Sequence, residues 1–252
     1  MKVTAFVASA RNSHTYNSSE LFLQKLKLHG DIECEIVKLS DYAIGTCRGC
    51  KLCFEKGEKF CPLKDDRDVL LSKIRNSDGV LFATPNYSFH VSAIMKIFLD
   101  RIAFIFHRPE FFGKTFTGIV AQGVYGGGKI VKYLAFVGNA LGFNSIKGIC
   151  LTNLEPVDPK MAAKNQQKIE ALSQKFYKRL IKNQLTKPTL MDLFFFRMAR
   201  TKIKLKLDER YEDFRYFHRR GWFQSDFYYP VKLTFFQKQM GRLFDALVKR
   251  SS

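Results

Sequence analysis

From Lys2 to about Asn183 the chain alternates short apolar runs with longer stretches of helical period. The runs at 3–8, 33–39, 79–84, 116–122 and 145–152 predict strands, while apolar residues at helical spacing predict helices over 16–29, 66–75, 92–106, 128–141 and 159–181. Strands alternating with helices predict an α/β fold, a parallel sheet joined by crossover helices.

The strands differ in how many of their faces are apolar, and that difference predicts their order. In the second, Ile32, Cys34 and Ile36 alternate with Glu33 and Glu35, as suits an exposed edge. The first, third and fourth (VTAFVA, VLFAT, GIVAQ) are apolar on both faces, as central parallel strands must be. A five-stranded order 2-1-3-4-5 satisfies both, which is the flavodoxin-like arrangement, with its ligand crevice at the switch point between the first and third strands. Past a polar stretch ending in Lys187-Pro188 the composition changes. Residues 188–252 hold 15 aromatics against 21 in the preceding 187 residues, with 14 basic and 7 acidic residues and the only tryptophan, Trp222. We expect a flavodoxin-like domain over 1–182 and a helical, aromatic and basic C-terminal extension over 183–252. Its helices are predicted over 190–202 and 231–249, the second carrying a stripe of Leu233, Phe236, Met240, Leu243, Phe244 and Leu247 expected to pack against the sheet domain or a second subunit.

A chain of 252 residues, 46% hydrophobic, has enough apolar side chains for an ordinary core. No run approaches the roughly 18 to 20 apolar residues of a membrane-spanning helix, since Leu193-Phe194-Phe195-Phe196 is stopped by Arg197, so integral membrane contact is not expected. Residues 1–10 resemble a signal peptide only superficially and fit a first strand better, which places the protein in the cytoplasm. The net charge of +19 attracts phosphorylated small molecules, nucleic acid or anionic lipid. Interleaved arginines and aromatics in the tail suit nucleic acid, but the stripe accounts for most of them as packing, so no nucleic-acid partner is expected. Residues 190–207, Phe-rich and then alternately basic and apolar, also suit an anionic membrane surface.

Three predicted loops lie at carboxyl ends of strands. After the first comes SARNSHT (Ser9, Ala10, Arg11, Asn12, Ser13, His14, Thr15), opening directly into a helix whose unpaired N–H groups and dipole favour an anion, most naturally a phosphate. Neither GxGxxG nor GxxxxGK[ST] is present, which removes the usual dinucleotide and triphosphate fingerprints. After the third strand, Pro85, Asn86, Tyr87, Ser88 and Phe89 make a turn with flat apolar surface for a planar ring. After the fourth, Gln122-Gly123 leads to Gly126-Gly127-Gly128, where backbone can approach a ligand closely.

A further constellation is Cys47, Cys50, Cys53 and Cys61, spaced CxxCxxC and then seven residues to Cys-Pro. Such thiols can hold a 4Fe-4S cluster, stay bare or redox-active, or bind tetrahedral zinc. Cys34 and Cys150 fall within predicted strands and are expected to be buried small hydrophobes.

Through SARNSHT, the cysteine loop followed by Asp65-Asp66, and TPNYSFHVSAIMKIFLDR, residues 1–182 resemble the NADPH-dependent FMN reductase family, in particular its iron-sulfur flavoprotein branch. The last segment, with Lys96, Phe98, Asp100 and Arg101 on one helix, is the most specific. Ala8 and Ala10 replace a usual Gly and Pro, His14 stands where Asn is usual, and Asn86 replaces an apolar residue. The resemblance implies an FMN phosphate held by the loop from Ser9 to Thr15, including Arg11, Ser13 and His14. It also implies an isoalloxazine bordered by Pro85 to Phe89 and closed by Gln122 and Gly123, and a cluster on Cys47, Cys50, Cys53 and Cys61. It further implies NADPH or NADH, or a redox protein, as electron donor, an acceptor of unstated identity, and a homodimer or homotetramer; a non-enzymatic flavodoxin-like electron carrier is the alternative reading, against which the net charge of +19 weighs. A two-electron flavin beside a one-electron cluster would split hydride equivalents, so no side chain is needed as general acid or base.

Overall fold

The computed structural model describes residues 1–156 and 158–250. The chain forms β1 (Lys2–Val7), α1 (His14–Lys27), β2 (Glu33–Lys38), α2 (Leu52–Glu55), α3 (Arg67–Arg75), β3 (Gly79–Pro85), α4 (Ala93–Arg101) and α5 (Phe104–His107). There follow β4 (Thr115–Gln122), α6 (Gly127–Ala140), β5 (Asn144–Ser145), β6 (Ile149–Thr152), α7 (Pro159–Leu180), α8 (Leu190–Lys206), α9 (Glu212–Arg219) and α10 (Phe235–Arg250). Two compact units result. One comprises residues 1–47, 65–103 and 109–185, the other 48–64, 104–108 and 186–252.

The first unit is a parallel sheet of order β2-β1-β3-β4-β5, with β6 also on β4. β1, β3 and β4 are buried almost throughout and β2 only in part, as the apolar patterning requires. On one face, Val3, Ala5, Leu81 and Ile119 meet Phe22 of α1 and Ile169, Leu172 and Phe176 of α7. Gly79 is glycine because the Phe176 ring occupies the space its Cβ would need. On the other face Phe6, Phe82, Phe98 and Phe116 form a chain of edge and stacked contacts 5.0 to 6.0 Å apart.

Several expectations are corrected. The fifth strand, predicted over 145–152, is two short strands. Phe116 pairs with Ser145 and Ile119 with Ile149, so Thr117 and Gly118 face three residues, Ile146, Lys147 and Gly148. That extra residue is a bulge, and it breaks the ladder. The helix predicted over 92–106 ends at Arg101, where Ala103 N–H closes the last turn on the Asp100 carbonyl, and α5 begins separately at Phe104. Cys34 and Cys150 are half-buried, although that burial still pushes both thiols up from the ordinary cysteine range.

In the second unit, α8 and α9 pack around Phe196, Phe217, Trp222, Phe223 and Phe227, all buried, and α10 lies against α8. Trp222 packs on Phe217 and Tyr228 and donates its indole N–H to the Tyr228 carbonyl at 2.9 Å. α9, over Glu212–Arg219, lies outside the predicted helices. The stripe predicted on the last helix is also corrected. α10 buries Gly241 and Val248, and it leaves Phe236, Leu243 and Leu247 exposed. Among the described residues no helix is long and apolar enough to cross a membrane.

Candidate functional site

The loop after β1 is anchored at its base. Ser92 Oγ donates to the Ala8 carbonyl (2.8 Å), while Ser92 N–H donates to Thr84 Oγ1 (3.0 Å). Ser92 is also the N-cap of α4, so one buried serine ties the first loop to the end of β3. Neither Ser92 nor Thr84 stands out in the sequence as a site residue, although serine at a helix start was a usable sign. Within the loop, Ser9 is buried and its hydroxyl donates to the Arg11 carbonyl, Arg11 is exposed, and Thr15 is buried in the first turn. Ser13 is the N-cap of α1 with no side-chain capping bond, and the first turn holds no acidic residue. The first-turn N–H groups therefore lack both an intrahelical acceptor and a capping oxygen. His14 Nε2 turns aside to Glu155 Oε1, 3.2 Å away.

The loop after β3 turns sharply, with Tyr87 and His90 bridged and both Ser88 and Phe89 at positive φ (50° and 61°). Pro85 is buried, while Tyr87, Ser88 and Phe89 are exposed. Asn86 Nδ2 donates to the Tyr125 carbonyl (2.8 Å) and Phe89 lies 5.3 Å from the Tyr125 ring, so this loop and the one after β4 touch. Gly126 is required there, since it has φ +94° and a Cβ would strike Phe89. Asn86 Oδ1 is buried with no hydrogen-bond partner, and a Cβ at Gly123 would meet nothing. The Gln122 side chain is occupied within its own neighbourhood: Oε1 accepts from Gly127 N–H (2.7 Å), and Nε2 donates to the Val124 carbonyl and Thr152 Oγ1. It braces the loop. A cavity of about 260 Å³ that no motif announces lies beside His14, between α1, the end of β6 and α7.

Asp65 and Asp66, noted in the sequence only as neighbours of the cysteines, are structural. Asp65 accepts from both Gly45 N–H (2.9 Å) and Arg67 N–H and pairs with Arg101 Nη2 at 2.8 and 3.0 Å, while Asp66 accepts from Ala43 N–H. Burial pushes the Asp65 carboxyl up, but Arg101 and the two backbone donors outweigh it and hold it below the usual carboxylate range. The helical end of the most specific motif, Asp100-Arg101, is thus scaffold. Arg101 is buried on Asp65, and Lys96 pairs with Asp100 on the surface.

The structure does not gather the four cysteines of this loop into a metal site. Among the described residues no three His, Cys, Asp or Glu side chains are gathered where they could hold a metal ion, and none of the six cysteines is in a disulfide. Cys47 and Cys50 are exposed in a stretch without regular structure, where Gly49 and Lys51 both take positive φ. Cys53 lies on α2, and Cys61 ends a 3-10 turn. Backbone and side-chain contacts hold the segment. Arg108 donates to the Cys53 carbonyl and Glu58, Arg215 donates to the Glu55 carbonyl, and Phe54 stacks on His107 at 4.3 Å.

Residues 1–153 match the sequence profile of NADPH-dependent FMN reductase. An iron-sulfur flavoprotein of Archaeoglobus fulgidus is 35% identical over 164 residues, covering 59% of this chain and 71% of the relative. An iron-sulfur flavoprotein of Clostridioides difficile is 25% identical over 78% of this chain and 86% of its own. Among solved structures, RosB with bound 8-demethyl-8-formylriboflavin-5'-phosphate superposes with a TM-score of 0.57 over 93% of this chain and 92% of that one. At 14% identity that likeness speaks to the fold alone.

Proposed function

The chain belongs to the NADPH-dependent FMN reductase family, and from that membership we propose that it is an FMN-holding oxidoreductase reduced by a nicotinamide dinucleotide. The observation that carries the proposal is the pair of unmet needs at the crevice, an uncapped, acid-free start of α1 and a buried Asn86 Oδ1 without a donor. A phosphate meets the first need and a ring N–H the second.

In this reading Ser9, Arg11, Ser13 and Thr15, with the first-turn N–H groups of α1, hold the FMN phosphate. Pro85 to Phe89 border the isoalloxazine, and Asn86 Oδ1 accepts one of its N–H groups. Gly123 leaves space at the opposite side, while Gln122 fixes that loop through Gly127 and Thr152. Bound there, FMN would supply hydride acceptance and onward electron transfer, with no side chain needed as acid or base. Exposed Tyr87, Phe89 and Tyr125 give a flat rim on which a dinucleotide can lie, and the net charge of +19 favours a phosphorylated donor. NADPH and NADH both fit this description. The four cysteines as placed do not match a 4Fe-4S site.

Anaerobic stopped-flow mixing of the FMN-loaded protein with NADPH, then with NADH, tests the donor. Bleaching of the flavin band within seconds by at least one of them is expected. Bound flavin that stays oxidised for minutes with both would leave the FMN site standing and remove the nicotinamide step.

A further inference from the structure

The C-terminal unit presents an apolar surface that its own core does not use. α8 and α10 run side by side in the same direction, because their contacts advance together. Gln237 Nε2 donates to the Pro188 carbonyl, Gly241 lies against the Arg197 guanidinium, and Thr201 Oγ1 donates to Asp245 Oδ1. On the core side of the pair, Phe196 packs on Phe227 and Tyr228. Helical geometry turns a second face of each helix to the opposite side, with Met191, Phe195 and Leu205 on α8 and Phe236, Leu243 and Leu247 on α10. All six are 40% to 60% exposed. Contiguous large apolar side chains of this kind mark an interaction surface, unlike singly scattered ones.

Charge identifies what the surface meets. Lys202 and Arg250 are exposed on the same side. The one acidic residue of α10, Asp245, is turned inward onto Arg197, Arg200 and Thr201, and Asp192 of α8 is spent on capping Thr189. The face is thus apolar and basic, in a tail with 14 basic and 7 acidic residues and a chain of net charge +19. A second copy would bring like charges together, whereas a bilayer with anionic headgroups offers the opposite charge above an apolar layer.

We propose that the outer face of the α8–α10 pair docks in the plane of an anionic lipid surface, burying Phe195, Phe236, Leu243 and Leu247 at the headgroup boundary. Because no described helix can span a bilayer, the contact is peripheral and reversible. It is independent of what the crevice holds.

Sedimentation of the full-length protein with vesicles tests this, using phosphatidylcholine alone and phosphatidylcholine mixed with phosphatidylglycerol. The protein should pellet with the anionic vesicles, detach as salt rises, and stay in solution with the neutral ones. Phe236→Glu with Leu243→Glu should weaken binding at least about tenfold, and Lys202→Gln with Arg250→Gln should weaken it with a smaller salt dependence. Thermal melts like the parent's would show that these exposed substitutions leave the fold intact. Vesicle binding unchanged by both pairs, or none by the parent, would overturn the proposal. So would light scattering in which Phe236→Glu with Leu243→Glu turns a dimer into monomers, for the occupant would then be a second copy.

Discussion

At the scale of single residues, the largely buried Asp65–Arg101 pair fixes the chain just after the cysteine segment and, through Gly45, just before it. Removing one partner of a buried ion pair leaves the other uncompensated, so Asp65→Asn should cost roughly 3–5 kcal/mol in denaturant unfolding. The folded carboxyl lies below its unfolded value. Its contribution is therefore complete above the unfolded value and is lost as pH falls through the folded one, so parent stability should drop below about pH 4. The Asn variant should show a shallower drop, and urea melts from pH 7 to 3 would reveal equal slopes if the pair contributed nothing. On the proposed reading of the crevice, Arg11→Ala removes a charge-assisted phosphate contact and should weaken FMN binding about tenfold while leaving the melting temperature unchanged. An unaltered affinity would place the phosphate elsewhere.

At the scale of elements, the bulge between β5 and β6 is a designed break, because a Cβ at Gly148 would run into the Gly118 carbonyl oxygen. Gly148→Ala should destabilise by about 3 kcal/mol or more, measured by denaturant unfolding, since the clash is with backbone that cannot rotate away. A loss under about 1 kcal/mol would mean the bulge yields freely. Strand burial was legible in the sequence because apolar runs report it directly: the two-sided runs became β1, β3 and β4, and the alternating run became the edge strand β2. The bulge was not legible, since one extra residue leaves the apolar run at 145–152 unbroken. Periodicity on the last helix revealed an apolar stripe but not which side the rest of the chain would cover, and Gly241 against Arg197 decided that.

For the whole molecule, the sequence placed the candidate crevice at strand ends, because loops follow from strand order. It did not reveal the bonds that close it, Ser92 to Ala8 and Asn86 to Tyr125, which join residues far apart in the chain. The cysteine spacing suggested a shared centre, but spacing constrains only sequence distance, and among the described residues no metal site is gathered there. The family's most specific helix turned out to hold the scaffold together through Arg101.

Titration of flavin-free protein with FMN, followed by quenching of flavin fluorescence, tests the central claim most directly. One equivalent should bind with a Kd of about 10 μM or tighter, and Asn86→Ala should weaken it. Protein that is colourless as purified and leaves the fluorescence of added FMN untouched at that concentration would contradict the account.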